Sequence, residues 1–240
     1  QRDISNIEWW LTYEAWKVIC CSRYMVDELS RVFNLPRDKM VHIPNGVHAE
    51  RFRDRQVPAN FKNRFALPHE KIVYYIGRLV REKGVQVLID AAFKVLAYEP
   101  NAKFVIAGTG PYENYLRNKA RDIGLGDKML FTGYLSNDDR DMLYLIASVA
   151  VFPSLYEPFG IVALEAMAAG TPVVVSDSGG LAEIVRHEED GLCAITGSAS
   201  SLADQILRVL KNDFLAKKLR DHALQKIKTM YDWRVIARKT

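Results

Sequence analysis

The sequence predicts an α/β fold built on a doubly wound parallel sheet. From Lys71 onward, short apolar runs alternate with stretches whose apolar residues recur at helical spacing. Strands that alternate with helices are typical of parallel sheets, which bind ligands at the carboxyl ends of their strands. The chain has 240 residues, of which 49% are hydrophobic, and this suffices for one or two packed domains. No short repeat or low-complexity stretch interrupts the pattern.

The residues before this alternation predict a smaller set of elements. A helix is expected over 4–17, a strand over Val18–Cys21, a helix from Arg23 to about Phe33 that Ser22 caps, and an extended segment over Lys39–Pro44. The first helix is rich in tryptophan. Because large aromatic side chains seldom remain unburied, we expect this helix to pack against a part of the protein that the chain lacks.

The regular part of the chain contains six predicted strands and seven predicted helices. The strands are 72–76, 103–107, 129–132, 149–153, 172–175 and 192–195, and the helices lie near 84–98, 111–123, 137–147, 161–169, 180–187, 200–211 and 214–229. A further helix is expected to begin at Asp232-Trp233-Arg234, close to the end of the sequence.

Charge and cysteine content narrow the class of protein. The net charge of +4 is too small to indicate nucleic-acid binding, although it suits a ligand that carries phosphate. The three cysteines, Cys20, Cys21 and Cys193, have no metal-ligand spacing and are expected to be buried thiols in a reducing compartment. No signal peptide or apolar run of transmembrane length is present, so a cytoplasmic protein is expected.

Two carboxylates, Glu157 and Glu165, stand eight positions apart at the start of a predicted apolar helix. The N–H groups of Phe159, Gly160 and Ile161 would lie free at the helix N-terminus, where they and the helix dipole favour an anion. Gly160 has no side chain to block a ligand. The pattern suits a sugar-phosphate ligand, and it also suits an ordinary amphipathic helix whose acids face water.

The pattern Glu157-x7-Glu165, followed by Ala-Gly-Thr-Pro-Val-Val, closely resembles the signature of the group 1 (family 4) retaining glycosyltransferases. This family has the two-domain GT-B fold, with Rossmann-like domains, and uses nucleotide-activated sugars. Ile43-Pro44-Asn45-Gly46-Val47 also matches the family, in which it closes the N-terminal domain. The resemblance covers nearly the whole chain.

The resemblance implies a division of the chain into four parts. Residues 1–46 would be the tail of an otherwise missing N-terminal domain, and residues 47–70 a linker. Residues 71–230 would form the nucleotide-sugar-binding Rossmann-like domain, the C-terminal half of a GT-B enzyme. Residues 231–240 would begin a truncated helix that returns to the N-terminal domain.

Two basic residues follow the first predicted strand of the regular region. Gly77-Arg78 directly follows that strand and Lys83 opens the next helix, so both cations are expected at the carboxyl edge of the sheet. A solvated basic loop would also fit. By resemblance, Gly77 lies at the ligand, and Arg78 and Lys83 stabilise the departing diphosphate, while Glu157 lies next to the transferred sugar.

The remaining site residues are also implied by the resemblance. Glu165 would accept hydrogen bonds from the ribose hydroxyls, and Phe159, Gly160 and Ile161 would fix hydroxyls and phosphate. The backbone around Tyr134 and Leu135 would hold the base, although plain sheet core remains an alternative for that segment.

Other motifs give weaker signals. Gly108-Thr109-Gly110 lacks the third glycine of a dinucleotide fingerprint, so a tight turn near the ligand is the better interpretation. Asp139-Arg140-Asp141 has an acid-x-acid form, but Ser136-x-x-Asp139 is also a capping box, and capping explains the pattern more simply. Gly179-Gly180 and the neighbouring Glu183 are interpreted as pocket lining and a local cap. No metal or other cofactor is expected.

The predicted function is transfer of a hexose from a nucleoside-diphosphate sugar to a carbohydrate or other hydroxyl acceptor, with retention of the anomeric configuration. This chain would be mainly the donor-binding half, inactive on its own without the missing N-terminal domain. The alternatives are a nucleotide-binding module without activity, a sugar-nucleotide epimerase and, last, a dinucleotide oxidoreductase.

Overall fold

The computed structural model describes residues 2–239, with side chains from 6 to 238. Its centre is a six-stranded sheet in the order β5-β4-β3-β6-β7-β8, in which every pairing is parallel. The strands are β3 Lys71–Ile76, β4 Ala102–Ala107, β5 Met129–Gly133, β6 Val149–Phe152, β7 Val173–Ser176 and β8 Leu192–Ala194. The predicted doubly wound α/β fold is confirmed.

Both faces of the sheet are covered, which explains the continuous apolar runs of the sequence. All four residues of β6 and all four of β7 are buried. One face packs on a cluster that includes Leu88, Leu116 and Ile206, and the other on a cluster that includes Tyr144 and Leu164. Helices therefore lie on both sides of the sheet.

The helices of the sheet region are close to their predicted positions. They are α3 Val85–Tyr98, α4 Glu113–Asp122, α5 Asn137–Ile146, α6 Ile161–Ala168, α7 Gly179–Ile184, α8 Ala199–Lys211 and α9 Asp213–Lys226. A π-helical turn, Ile227–Tyr231, follows α9. Ser136 caps α5, because its hydroxyl accepts the N–H of Asp139. The capping interpretation of this segment is thus confirmed.

The order in which strands are added reverses between β3 and β6, although all strands run in the same direction. From β3 the sheet grows through β4 to β5 on one side, and from β6 through β7 to β8 on the other. The helices that follow these two strands, α3 and α6, therefore lie on opposite faces of the sheet, with a crevice between them at the carboxyl edge. Such a switch point is where doubly wound sheets bind ligands.

The first part of the chain forms a separate small layer. It comprises α1 Arg2–Glu14, α2 Arg23–Phe33 and a two-stranded parallel sheet of β1 Val18–Cys20 and β2 Met40–His42. Ser22 caps α2 as predicted, since its hydroxyl accepts the N–H of Met25. Trp9, Trp10 and Tyr13 of α1 are 43%, 56% and 55% exposed, and Trp16, just after α1, is 90% exposed.

Residues 47–70 are more than a connection between two layers. They form two 3-10 turns, Ala49–Phe52 and Phe61–Arg64. Phe52, Phe61 and Phe65 are buried in the cluster beneath the main sheet. This segment therefore packs as part of the sheet domain. The prediction of a linker over residues 47–70 did not include this packing. The four-part division of the chain otherwise stays a prediction.

The end of the chain returns to the start of that segment. Asp232 caps the short helix α10, Trp233–Ile236, as the sequence indicated. Val47 donates its N–H to the carbonyl of Tyr231 at 2.8 Å. A Cβ added at Gly46 would lie 2.8 Å from the Trp233 ring, so glycine permits this crossing.

Within residues 2–239, no helix combines the length and the apolar character that a membrane span requires.

Candidate functional site

The loops that follow β3 and β6 are joined at the switch point. The carbonyl of Glu82 accepts the N–H groups of Leu155, at 2.8 Å, and Tyr156, at 3.2 Å. Gly84 has φ +71°, and a Cβ there would lie 1.8 Å from the carbonyl oxygen of Pro153. Only glycine allows this approach. These contacts bring the two loops, which are far apart in sequence, together at the carboxyl edge of the sheet.

This closure brings two predicted catalytic residues into contact. The Lys83 ammonium donates to the Glu157 carboxylate at 2.7 Å. The Ser154 hydroxyl donates to the same carboxylate oxygen at 3.2 Å. The Glu157 side chain is 8% exposed and that of Lys83 is 22% exposed. An acid and a cation are therefore paired at the floor of the crevice, where solvent screens them weakly.

The loop of Gly77 and Arg78 is held by a buried tyrosine. The Tyr75 hydroxyl donates to the Arg78 carbonyl at 3.2 Å, and a Cβ added at Gly77 would lie 2.7 Å from that hydroxyl. Burial raises the pKa of the Tyr75 hydroxyl far above its ordinary value, so it stays a neutral donor. The Arg78 side chain is exposed, and no ion pair among the described side chains engages it.

The N-terminus of α6 lies beside Glu157. Among the hydrogen bonds of residues 2–239, none uses the backbone N–H of Phe159, Gly160 or Ile161. The Phe159 side chain is buried in the core, so its backbone is firmly placed. Gly160 has φ +104°, and a Cβ there would lie 2.5 Å from the Leu181 side chain. These N–H groups and the helix dipole can bind an anion.

Glu165 lies one turn further along α6 and does not contact Glu157 in the structure as described. Its Oε1 accepts from Arg51 at 2.9 Å, and its Oε2 accepts from the Tyr144 hydroxyl at 3.2 Å. Its side chain is 12% exposed. Burial raises the pKa of the Tyr144 hydroxyl, which therefore remains a donor to the carboxylate.

A cavity of about 230 Å³ brings together four of the predicted site residues. These four are Gly77, Arg78, Tyr134 and Leu135. The cavity's further lining residues are Ile76, Gly108, Thr109, Asn137 and Arg140. An apolar slot with exposed backbone and guanidinium groups at its rim is suited to a nucleotide base and the phosphates attached to it.

The glycines of two other turns are explained by backbone packing. A Cβ at Gly108 would lie 2.0 Å from the Gly77 carbonyl oxygen, which fits the tight-turn interpretation of that segment. A Cβ at Gly179 would lie 2.3 Å from the Glu157 carbonyl oxygen, and one at Gly180 would lie 2.5 Å from the Phe159 Cα. Gly179 and Gly180 thus pack against the loop that carries Glu157, and their interpretation as pocket lining stays a prediction.

Glu183 caps a different helix from the one expected. Its carboxylate accepts the N–H groups of Arg23, at 2.9 Å, and Tyr24, at 2.6 Å, at the first turn of α2. The Ser22 hydroxyl donates to the Pro158 carbonyl at 2.6 Å. The local-cap interpretation was therefore wrong, because the partner helix lies about 160 positions away and no local pattern reveals it.

The acid-x-acid sequence of α5 faces guanidinium groups. Asp139 makes two hydrogen bonds with Arg64, at 2.7 and 2.8 Å. Asp141 is buried and pairs with Arg51, Arg55 and Arg140. Across the described residues, no group of three or more metal-ligating side chains gathers.

Four residues at the site were missed by the sequence interpretation: Arg51, Tyr144, Arg140 and Ser154. Arg140 lies between two acids that were considered only as metal ligands or caps. Arg51 and Tyr144 reach Glu165 across 114 and 21 positions. The one available signal was the set of three arginines at 51, 53 and 55 in a segment without helical periodicity.

A second, larger cavity lies away from this site. Its volume is about 470 Å³, and it lies between the C-terminal end of α6, helix α9 and the Ala49–Phe52 turn. None of the predicted site residues lines it.

The fold defines a class, namely α/β proteins of the GT-B type with a crevice at the switch point of a Rossmann-like sheet. The family model described as "Glycosyl transferases group 1" matches residues 58–226, and the model described as "Glycosyltransferase Family 4" matches residues 1–51. The chain belongs to the group 1 glycosyltransferase family.

Curated relatives agree with this assignment, and a solved structure shares the fold. An uncharacterized glycosyltransferase of Methanocaldococcus jannaschii is 39% identical over 243 residues, which cover 100% of this chain and 62% of that protein. The glycogen synthase of Mycobacterium tuberculosis is 34% identical over 244 residues, covering 100% and 56%. The chain thus spans somewhat more than half the length of these relatives. HepE of Anabaena, solved in complex with UDP and glucose, shares the fold with a TM-score of 0.86 at 23% identity, covering 94% of this chain and 62% of that one.

Proposed function

We propose that the complete protein is an anomer-retaining glycosyltransferase that moves a hexose from a nucleoside-diphosphate sugar to an acceptor hydroxyl. In this proposal the 240 residues supply the donor site. The observation that carries it is the contact of Lys83 with Glu157, at 2.7 Å, beside the free N–H groups of α6.

The diphosphate would lie between two cations and a helix N-terminus. Arg78 is exposed at the mouth of the crevice, and Lys83 lies at its floor. Since a departing nucleoside diphosphate gains negative charge, fixed cations and backbone N–H groups stabilise it more than they stabilise the bound substrate. No metal is required for this charge compensation, and we propose that none takes part.

The two carboxylates would serve different ends of the donor. Glu157, with its backbone neighbours Phe159, Gly160 and Ile161, would bind the transferred hexose, near the positive charge that develops at its anomeric carbon. Glu165 would accept hydrogen bonds from the ribose hydroxyls. The base would occupy the cavity of about 230 Å³, beside the backbone of Tyr134 and Leu135.

A uridine or adenosine diphosphate hexose is the proposed donor. HepE, which shares the fold, was solved in complex with UDP and glucose, and this makes UDP the first nucleotide to test. The acceptor would be a carbohydrate or another hydroxyl compound, bound between this chain and a facing N-terminal domain.

A second candidate is a nucleotide-binding module that has no turnover by itself. The observation that favours it is length, because the chain spans 62% and 56% of two relatives whose names denote transferases. We infer that the 240-residue chain binds nucleotide but transfers little or no sugar.

Two parallel assays test the proposal. The 240-residue chain and a version extended upstream to the length of the relatives are incubated with UDP-glucose or ADP-glucose and an acceptor panel. We expect nucleotide binding by both and transfer only by the longer one, with an α-linked product by NMR. A β-linked product from these α-linked donors would contradict retention. Interconversion of the sugar without transfer would identify an epimerase.

A further inference from the structure

We propose that Arg51 is a positioning residue that holds the Glu165 carboxylate in the orientation that binds the ribose of a nucleotide. This inference rests on the proposed function, in which Glu165 is the ribose ligand. Arg51 itself would not touch the nucleotide.

The first support is how the Glu165 carboxylate is shared. Arg51 donates to Oε1 at 2.9 Å, and the Tyr144 hydroxyl donates to Oε2 at 3.2 Å. A carboxylate oxygen accepts about two hydrogen bonds. Each oxygen therefore keeps one acceptor position, so two adjacent hydroxyls of a ribose can be bound while both protein contacts remain.

The second support is that Arg51 is itself held rigidly. The nitrogen that reaches Glu165 also lies 3.1 Å from Oδ1 of Asp141, whose side chain is 5% exposed. The Arg51 guanidinium stacks over the Phe52 ring, 4.7 Å from its centroid. A guanidinium with fixed partners on two sides can orient a carboxylate, whereas a mobile surface cation cannot.

The third support is the charge balance around Glu165. Its side chain is 12% exposed, and Arg51 is its ion-pair partner in the structure as described. Removing Arg51 would leave this mostly buried carboxylate without its ion pair, which is costly where there is little solvent. Its Oε1 would no longer be held in one orientation by the guanidinium.

The chain offers a matched control in Arg55. Both arginines come from the segment before β3 and pair with Asp141, and their side chains are 27% and 23% exposed. Arg55 contacts Asp138 and Asp141 but makes no contact with Glu165. Arg55→Met therefore removes a comparable ion pair and leaves the ribose ligand untouched.

The experiment compares nucleotides with and without ribose hydroxyls by calorimetry on the 240-residue chain. UDP and ADP are each paired with the 2′,3′-dideoxy analogue. For the unmodified protein and for Arg55→Met, we expect the ribonucleotide to bind at least ~10-fold more tightly, which corresponds to hydrogen bonds to a charged group. For Arg51→Met, we expect this preference to fall below about 3-fold, with dideoxynucleotide affinity nearly unchanged.

Arg51→Lys covers the case in which Arg51→Met does not fold, because it keeps the positive charge with a single donor group; we expect it to lose part of the preference. The positioning role would be overturned if Arg51→Met kept the full preference for the ribonucleotide, or if it weakened the ribonucleotide and the dideoxynucleotide equally. If Arg51→Met does not fold, the same outcomes in Arg51→Lys would overturn it. If the unmodified chain binds neither UDP nor ADP, the donor site of the proposed function fails, and the inference fails with it.

Discussion

The Lys83 ammonium lies 2.7 Å from the Glu157 carboxylate, although 74 positions separate the two residues in sequence. They meet because the β3 and β6 loops share hydrogen bonds and because Gly84 permits close backbone packing. In the proposed mechanism, Lys83 compensates the negative charge of the departing diphosphate, and Glu157 binds the transferred hexose.

Arg78→Ala and Lys83→Ala are each expected to lower the turnover of the complete enzyme at least ~10²-fold, since each removes a fixed charge at the leaving group. Steady-state transfer assays measure this loss. Lys94→Ala is the control, because Lys94 pairs with Asp204 on the outer helices, away from the site. If Arg78→Ala and Lys83→Ala turned over as fast as the Lys94→Ala control, Arg78 and Lys83 would not stabilise the leaving diphosphate.

Gly84→Ala is expected to destabilise the fold by about 2–5 kcal/mol, the sum of a left-handed backbone and an overlap with Pro153. Gly124→Ala is the matched control. Its φ of +75° is close to the +71° of Gly84, but a Cβ there would meet nothing within 4 Å. The control should lose only about 1–2 kcal/mol. Urea unfolding measures both, and equal losses would show that the loop contact does not constrain Gly84.

Acid should weaken the junction between the chain end and the segment that begins at Val47. Hydrogen bonds from Arg234 lower the pKa of Asp232 from 3.8 to about 2. Because the folded-state pKa is depressed, the stabilisation is present above about pH 4 and is lost as the pH falls toward 2.

We therefore expect Asp232→Asn to be less stable than the unmodified protein at pH 7, with the difference shrinking at pH 2. Urea midpoints at the two pH values measure this change. Asp122→Asn, at a side chain that is 70% exposed, is the control. If the difference in urea midpoint between Asp232→Asn and the unmodified protein were the same at pH 7 and pH 2, the lowered pKa of Asp232 would be contradicted.

Chelation is expected to leave the turnover of the complete enzyme unchanged, because Arg78, Lys83 and the α6 N-terminus are proposed to neutralise the diphosphate. Transfer rates before and after EDTA treatment, each with and without added Mg²⁺ or Mn²⁺, test this expectation. A loss of rate with EDTA that divalent cations restore would show that a metal takes part.

The sequence predicted the regular part of the fold because local signals determine it. Buried parallel strands are continuous apolar runs, and the helix caps Ser22 and Ser136 are visible as short polar patterns. The sequence also placed Lys83 after a strand of the parallel sheet, but its contact with Glu157 depends on β3 and β6 being neighbours in that sheet.

Other features depend on tertiary contacts that no local pattern encodes. Arg51 reaches Glu165 only after residues 47–70 fold onto the sheet through Phe52 and Phe61, in short turns without periodicity. The role of Gly179 is likewise decided by the distant Glu157 carbonyl. Such residues emerge only when the packing of the whole domain is known.

The most direct test of the donor site is a crystal structure of this chain with UDP or ADP bound. We predict a diphosphate in contact with Arg78, Lys83 and the N–H groups of Gly160 and Ile161, with the ribose hydroxyls at Glu165. A nucleotide bound elsewhere, for example in the cavity of about 470 Å³ between α6 and α9, would contradict the account.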